Sequence, residues 1–230
     1  MKARLIRPLL NFAASVAMVS GGLLLVEATV TVVWQEPLTS LVAARAQANL
    51  SNEVEGLAEA ARVDRQALDR VFRSPREIAR ELAESQRSRL DSGEPLGEIE
   101  MPTIDASYMM VAGSSEGPLR KGPGHYSDTP LPGMRGTFAI AGHRTTYLAP
   151  FRRIDELANG DVIEVTMPYG RFTYEVEDKL VVEPDDTWVK DKVDHDRLIL
   201  TACHPVYSAK QRFVVFAALE GFKLTKGGDA

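Results

Sequence analysis

Cysteine is nearly absent from this chain: its 230 residues include one, Cys203. A lone thiol excludes an internal disulfide framework, so Cys203 is either an inert buried side chain or a reactive one. Histidine is scarce too, with His125, His143, His195 and His204 as the full set. None of these five residues stands in a Cys-x-x-Cys or His-x-x-x-His spacing, so no zinc site and no other metal is expected. A basic excess is also missing. The formal net charge is -5, and phosphate recognition calls for a basic face, so nucleic acid is not an expected partner. There is no internal repeat, and proline and glycine are rare between 38 and 90.

What is present begins with a basic, then apolar, N-terminus. Lys2, Arg4 and Arg7 precede an apolar run at 9–26, then Glu27 and a second apolar stretch at 28–34. The first run would span roughly 27 Å as a helix, close to the thickness of a bilayer core. It predicts a transmembrane signal anchor at 9–34 that contacts membrane lipid. Residues 1–8 would stay in the cytoplasm and the rest would be extracytoplasmic, following the basic flank. Glu27 belongs near the outer boundary, because a carboxylate at the bilayer centre costs about 3 kcal/mol, and Trp34 suits the interface. The rival is a cleaved signal peptide, but the run exceeds a usual h-region and no clean Ala-x-Ala site follows.

From 35 to 95 the composition turns to Ala, Glu, Arg, Gln and Leu, with apolar spacing as in Val54, Leu57, Ala58 and Ala61. This predicts a helical stalk, read as a solvated spacer, broken near Ser74-Pro75 because proline removes a donor and clashes with the preceding turn. Heptads are not sustained, which disfavours a coiled coil. After the turn residues of 91–95, short β-type runs take over at 97–104, 108–112, 137–141, 161–167, 171–182, 198–201 and 213–219. Pro168-Tyr169-Gly170 reads as a hairpin turn, and 150–157 as a short helix. The fold class is therefore mainly β. A domain over 96–230 would close into a β-barrel with short helices, since closure removes exposed edges.

Several segments in this region resemble one family, the sortases, and among them the class E group of actinobacteria. They are Gly122-Pro123-Gly124-His125-Tyr126, Leu131-Pro132-Gly133, Ala139-Ile140-Ala141-Gly142-His143-Arg144-Thr145-Thr146-Tyr147, Ala149-Pro150-Phe151, Ile154-Asp155-Glu156-Leu157 and Gly160-Asp161. They lead to Leu200-Thr201-Ala202-Cys203-His204-Pro205 and Arg212. The resemblance implies a sortase β-barrel, the catalytic set Cys203, His143 and Arg212, and no cofactor. It also implies secreted proteins bearing a C-terminal sorting signal as substrates. These would be cut between Thr and Gly through a thioester on Cys203 and passed to an amine, from a peptidoglycan precursor or a pilin lysine, with slow hydrolysis as a side reaction.

The residue types suit those roles. A thiolate is the attacking form of cysteine; His143 as imidazolium would stabilise that thiolate and then give its proton to the departing glycine amine, and neutral His143 would take a proton from the incoming amine. A guanidinium can donate to a developing oxyanion. Tyr147, Thr146 and Ala202 are the substrate-binding candidates, and the placement of Tyr147, which resembles class E, implies that class's preference for alanine and so a Leu-Ala-x-Thr-Gly signal. Two positions depart from the family pattern: Ala202 stands where threonine is common, and Leu148 where glycine is frequent. His204 competes for the base role, but strand alternation turns it away from Cys203. His195 reads as a solvated turn residue and His125 as structural. Glu183, Asp185 and Asp186 read as an acidic loop rather than the calcium site some sortases carry.

Three alternatives stay open: a pilin-polymerising sortase, an inactive membrane-tethered binding domain, and another exported cysteine peptidase. A papain-like order would put Cys before His, and here it is reversed.

Overall fold

The computed structural model describes residues 3–34, 37–72, 74–191 and 193–225, with side chains from 11 to 26 and from 39 onward. Helix α1 runs Ala3–Trp34, α2 Pro37–Asp69 and α3 Pro75–Arg89. In α1 the apolar side chains Phe12, Met18 and Leu25 are all more than two-thirds exposed. Among the described residues no helix is long and apolar enough to cross a membrane. The expected span 9–34 extends beyond the described side chains, and the expected settings of Glu27 and Trp34 lie outside them.

The expected solvated spacer is instead packed on the folded domain. Along α2 the covered positions include 43, 47, 50, 54, 58, 61, 65 and 68, a stripe at three- and four-residue spacing, with 39, 40, 46, 51, 64 and 66 partly covered at its margins. Leu57, assigned to the same stripe from sequence, is 38% exposed. Helix α3 follows a break at the expected place, with Pro75 in its first turn, and buries Ile78, Ala79, Leu82 and Ala83. Gln47 fastens α2. Its Nε2 donates to the carbonyls of Met109 and Lys121 (2.9 and 2.8 Å), and its Oε1 accepts the Met109 N–H at 2.7 Å. The amide thus satisfies a stretch of strand edge that no strand covers. Gly122 makes room for it, since a Cβ there would lie 2.4 Å from Gln47 Nε2.

The domain itself is an eight-stranded closed barrel. In chain order the strands are β1 Pro95–Met101, β2 Ala106–Ala112, β3 Gly124–His125, β4 Thr137–Gly142, β5 Val162–Met167, β6 Gly170–Val182, β7 Arg197–His204 and β8 Gln211–Leu224. Around the barrel their order is β1-β2-β3-β4-β7-β8-β6-β5, and antiparallel pairing of β1 with β5 closes it. The hairpin expected at 168–170 is present, with Met167 opposite Gly170. Tyr169 turns back into the core and donates to the Pro132 carbonyl at 2.6 Å. The helix expected at 150–157 is reduced to a 3-10 turn, Ile154–Glu156.

Inside the barrel Leu96, Ile99, Phe138, Ile140, Phe172, Leu198, Leu200 and Val215 form one core. Each such side chain contributes about 1.5–3 kcal/mol by leaving water. Strands β5 and β6 alternate between covered and exposed positions, whereas β4 is buried on both faces. Its outer face shares a second cluster, Ala139, Val182, Val189, Ile199, Val214 and Phe216. The parallel pairing of β4 with β7 lies between these two layers, as parallel strands commonly do.

Candidate active site

Strand alternation sorts the residues at the open ends of β4, β7 and β8 into two sets. On β7, Leu198, Leu200 and Ala202 belong to the barrel core, and Ile199 to the outer cluster. With a period of two, Cys203 shares the outer face and His204 the inner one. On β8, Val214 and Phe216 are outer and Val215 and Ala217 inner, so Arg212 is outer and Phe213 inner. Antiparallel pairing sets Cys203 directly opposite Arg212. Strand β4 ends with Gly142 opposite Ala202 in parallel register, so His143 and Cys203 are the next residues on two adjoining strands. Three residues far apart in sequence are thereby gathered at one barrel rim.

Gly142 is needed at this point because Phe151 packs across it; an added Cβ would sit 2.4 Å from the Phe151 ring. The Phe151 N–H in turn donates to the His143 carbonyl at 3.0 Å. Beyond His143 the chain makes a tight reversal in which Tyr147, Leu148 and Ala149 all have positive φ, at 50°, 68° and 45°. Glycine would adopt this conformation more cheaply. The frequent family glycine is Leu148 here, so part of the loop's conformational cost falls on a branched side chain.

Cys203 is a free, partly covered thiol. His143 is half-buried, its Nε2 makes no hydrogen bond among the described groups, and its ring lies 5.3 Å from that of Tyr147. Burial pulls its pKa below the ordinary histidine value, while the charge of Glu116 pulls the other way. Burial thus favours neutral imidazole at rest, in place of the imidazolium expected from sequence, with a ring nitrogen able to take a proton. Arg212 Nη1 donates to the carbonyls of Ala209 and Gln211, both at 3.0 Å. Among the described residues its other N–H groups have no partner, so they can donate to an incoming carbonyl.

Among the substrate-binding candidates, Tyr147 lies between His143 and Arg120, whose guanidinium carbon is 5.9 Å from the Tyr147 ring. Thr146 is in the same reversal and its carbonyl accepts from the Ala149 N–H at 2.8 Å. Ala202 is 3% exposed within the barrel core, which places it on the face opposite Cys203.

The other histidines are separately accounted for. His125 is 3% exposed, bonded at Nε2 to Thr129 Oγ1 at 3.0 Å, with its pKa lowered to about 4 chiefly by burial. His195 is exposed, beside Asp194 Oδ1 at 3.2 Å. His204 Nδ1 faces Arg144 Nη1 at 3.4 Å. In the acidic loop the Asp186 carboxylate accepts the Glu183 N–H at 2.8 Å and Glu183 accepts from Gln211 at 3.1 Å. Among the described residues no three His, Cys, Asp or Glu side chains are placed to share a metal ion. Sequence reasoning passed over Glu116 and Arg120, which face the His143–Tyr147 pair, because nothing in a surface Glu-x-x-x-Arg spacing signals such a neighbour. It also passed over Arg144.

Comparison with known proteins agrees with this geometry. The description "Sortase domain" matches residues 99–220. Sortase D of Bacillus subtilis is 36% identical over 130 residues, covering 55% of this chain and 64% of that protein. Sortase SrtE1 of Streptomyces coelicolor is 30% identical over 145 residues, 56% of this chain and 41% of the relative. The matched region thus spans less than two-thirds of the length of these relatives. The structure of sortase E from Streptomyces avermitilis superposes with a TM-score of 0.55 at 30% identity, over 61% of this chain and 97% of that one.

Proposed function

The chain belongs to the sortase family, and from that membership we propose that it is a cysteine transpeptidase acting at Cys203. The observation that carries this reading is the strand register: Cys203 opposite Arg212 on β7 and β8, with His143 leaving the adjoining end of β4. A thiol, a proton carrier and a fixed cation on one face are what acyl transfer requires.

In the first half-reaction neutral His143 takes the Cys203 proton as the sulfur attacks the Thr carbonyl of a Thr-Gly bond. Arg212 donates to the oxygen as it becomes negative. The tetrahedral species collapses, the C–N bond breaks, and His143 returns its proton to the departing glycine amine, leaving a thioester on Cys203. In the second half the acceptor amine attacks that thioester and loses a proton to His143. An amide forms, and the sulfur leaves to be reprotonated. Slow attack by water gives the hydrolysis product.

The substrate is read as a secreted protein with a C-terminal Leu-Ala-x-Thr-Gly signal, with Tyr147 in the wall that meets its second residue. The class E relatives and the Tyr147 position support this assignment. The acceptor is read as a cell-wall amine of a peptidoglycan precursor, with a pilin lysine as the competing acceptor. The basic flank of Lys2, Arg4 and Arg7 and the apolar run at 9–26 support a single-pass anchor with the barrel outside the membrane. Release of the full chain from membranes by alkaline carbonate would refute the anchor.

The activity is tested by mass spectrometry of the full chain in detergent with Leu-Ala-x-Thr-Gly or Leu-Pro-x-Thr-Gly peptide and an amine. A thioester adduct and an amine-linked product, both absent in Cys203→Ala, are expected, with the alanine peptide preferred. A folded protein that forms no adduct with either peptide overturns the reading in favour of a binding domain.

A further inference from the structure

Arg144 is 2% exposed, and its guanidinium is committed on several sides. Nη2 donates to Asp155 Oδ1 at 2.7 Å and to the Arg152 carbonyl at 3.2 Å. Nη1 meets His204 Nδ1 at 3.4 Å, and the guanidinium carbon lies 5.8 Å from the Phe213 ring centre. A guanidinium only donates, so His204 Nδ1 is the acceptor and the His204 proton resides on Nε2. The His204 ring also sits 5.8 Å from that of Phe213.

Arg144, His204 and Phe213 have one property in common. Arg144 follows His143, His204 follows Cys203, and Phe213 follows Arg212. Each catalytic residue therefore has, as its immediate neighbour in sequence, a member of one cluster built round the buried Arg144, in which His204 and Phe213 are partly covered and Asp155 is exposed. A shift of the β4 loop relative to β7, or of β7 relative to β8, would have to break a bond or a ring contact within it.

We propose that Arg144 is a positioning residue, which sets the mutual placement of His143, Cys203 and Arg212 from beneath through His204, Phe213 and Asp155. The role rests on the transpeptidase reading for its consequence in turnover, but the placement of the thiol can be measured without any peptide. Reacting groups displaced by about an ångström lose on the order of a hundredfold in rate. A lysine at 144 could keep the charge next to Asp155, but its single ammonium has no fork to reach both His204 and the Arg152 carbonyl.

The experiment uses the full chain in detergent and compares Arg144→Lys, His204→Leu, His204→Asn and the Arg144→Lys/His204→Leu double variant. Two readouts are taken: iodoacetamide alkylation of Cys203 as a function of pH, and kcat and KM for peptide transfer. Arg144→Lys is expected to lower kcat by about thirtyfold or more with KM within about twofold, and to alter the pH profile of alkylation by loosening the thiol–imidazole pair. His204→Leu should do the same while leaving the Arg144–Asp155 ion pair intact, and the double variant should be no worse than either single one. His204→Asn, which offers an oxygen near the place of Nδ1, should recover most of the rate. An unchanged alkylation profile in Arg144→Lys and His204→Leu, or a double loss equal to the product of the single losses, overturns the proposal. If wild type alkylates normally but transfers no peptide, the transpeptidase reading fails and the alkylation profiles alone decide the role of Arg144.

Discussion

Acidification should weaken this fold through His125, and the size of the effect follows from where that ring is held. His125 is 3% exposed, inside the short β3 pairing, and its ring lies 5.3 Å from Phe138. Thr129 Oγ1 donates to the Tyr126 carbonyl at 2.8 Å and accepts the Ala139 N–H at 3.3 Å. Its contact with His125 Nε2 at 3.0 Å is therefore filled by an Nε2–H, and the neutral ring is already a donor. A second proton would have to enter an apolar setting with Arg87 contributing an unfavourable charge, and the pKa falls to about 4. In the unfolded chain the same ring titrates near 6.5. The folded pKa is the lower one, so the unfolded chain binds the proton more tightly over this window. The stabilisation is whole above pH 6.5 and is lost as the pH falls towards 4. The difference corresponds to about 3 kcal/mol in total, of which about 2 kcal/mol is gone between pH 7 and pH 5. Urea unfolding of wild type and His125→Gln at several pH values in this range reads it directly. The variant should be less stable at neutral pH and should lose about 2 kcal/mol less than wild type between pH 7 and 5. Parallel pH dependences for the two proteins would refute the assignment.

Gln47→Leu should leave the Met109 N–H and C=O without their partner and cost about 2 kcal/mol, given one edge residue and one loop carbonyl orphaned in a half-covered setting; a thermal midpoint equal to wild type would show that α2 does not depend on this clamp. Tyr147→Phe should reduce the preference for alanine over proline in the second position of the signal, read as the ratio of kcat/KM for the two peptides, and an unchanged ratio would remove the hydroxyl from the specificity argument.

Most strands were legible because each carries its own apolar pattern. Strand β3 was not, for two residues cannot show a period and Gly124–His125 is a strand only because Val111, Ala112, Ile140 and Ala141 lie beside it. The helix expected at 150–157 failed for a related reason. The left-handed run Tyr147–Ala149 redirects the chain, so Phe151 and Ile154 become fully buried as plugs in the barrel rather than as one face of a helix. In α2 the sequence showed a stripe but not its partner. An apolar spacing of three and four reads alike whether it faces water sparingly or covers a barrel. Cys203, His143 and Arg212 stood out through their motifs, whereas Arg144 was in plain view beside His143 and still unreadable. Its burial depends on Asp155, His204 and Phe213, which come from three other segments.

The two sets of residues at the barrel rim also explain why the register there tolerates little change. Reactive groups occupy the outer face of β7 and β8, and the adjoining residues Ala202 on β7 and Phe213 on β8 belong to or pack on the inner core. A slip of one residue would reverse the faces of the whole strand. Cys203 would then turn into the core with Leu198 and Leu200 on the outside, and His204 would replace it at the site. Such an error would put Thr201 and Cys203 in the barrel core and force Leu198 and Leu200 into the outer cluster that Ile199 fills, so both layers would be mispacked. The packing of Leu198, Leu200 and Ala202 thus selects the register that presents the thiol. The core holds the nucleophile on the correct face without touching it, and Arg144 completes at the rim what the strand pattern begins inside.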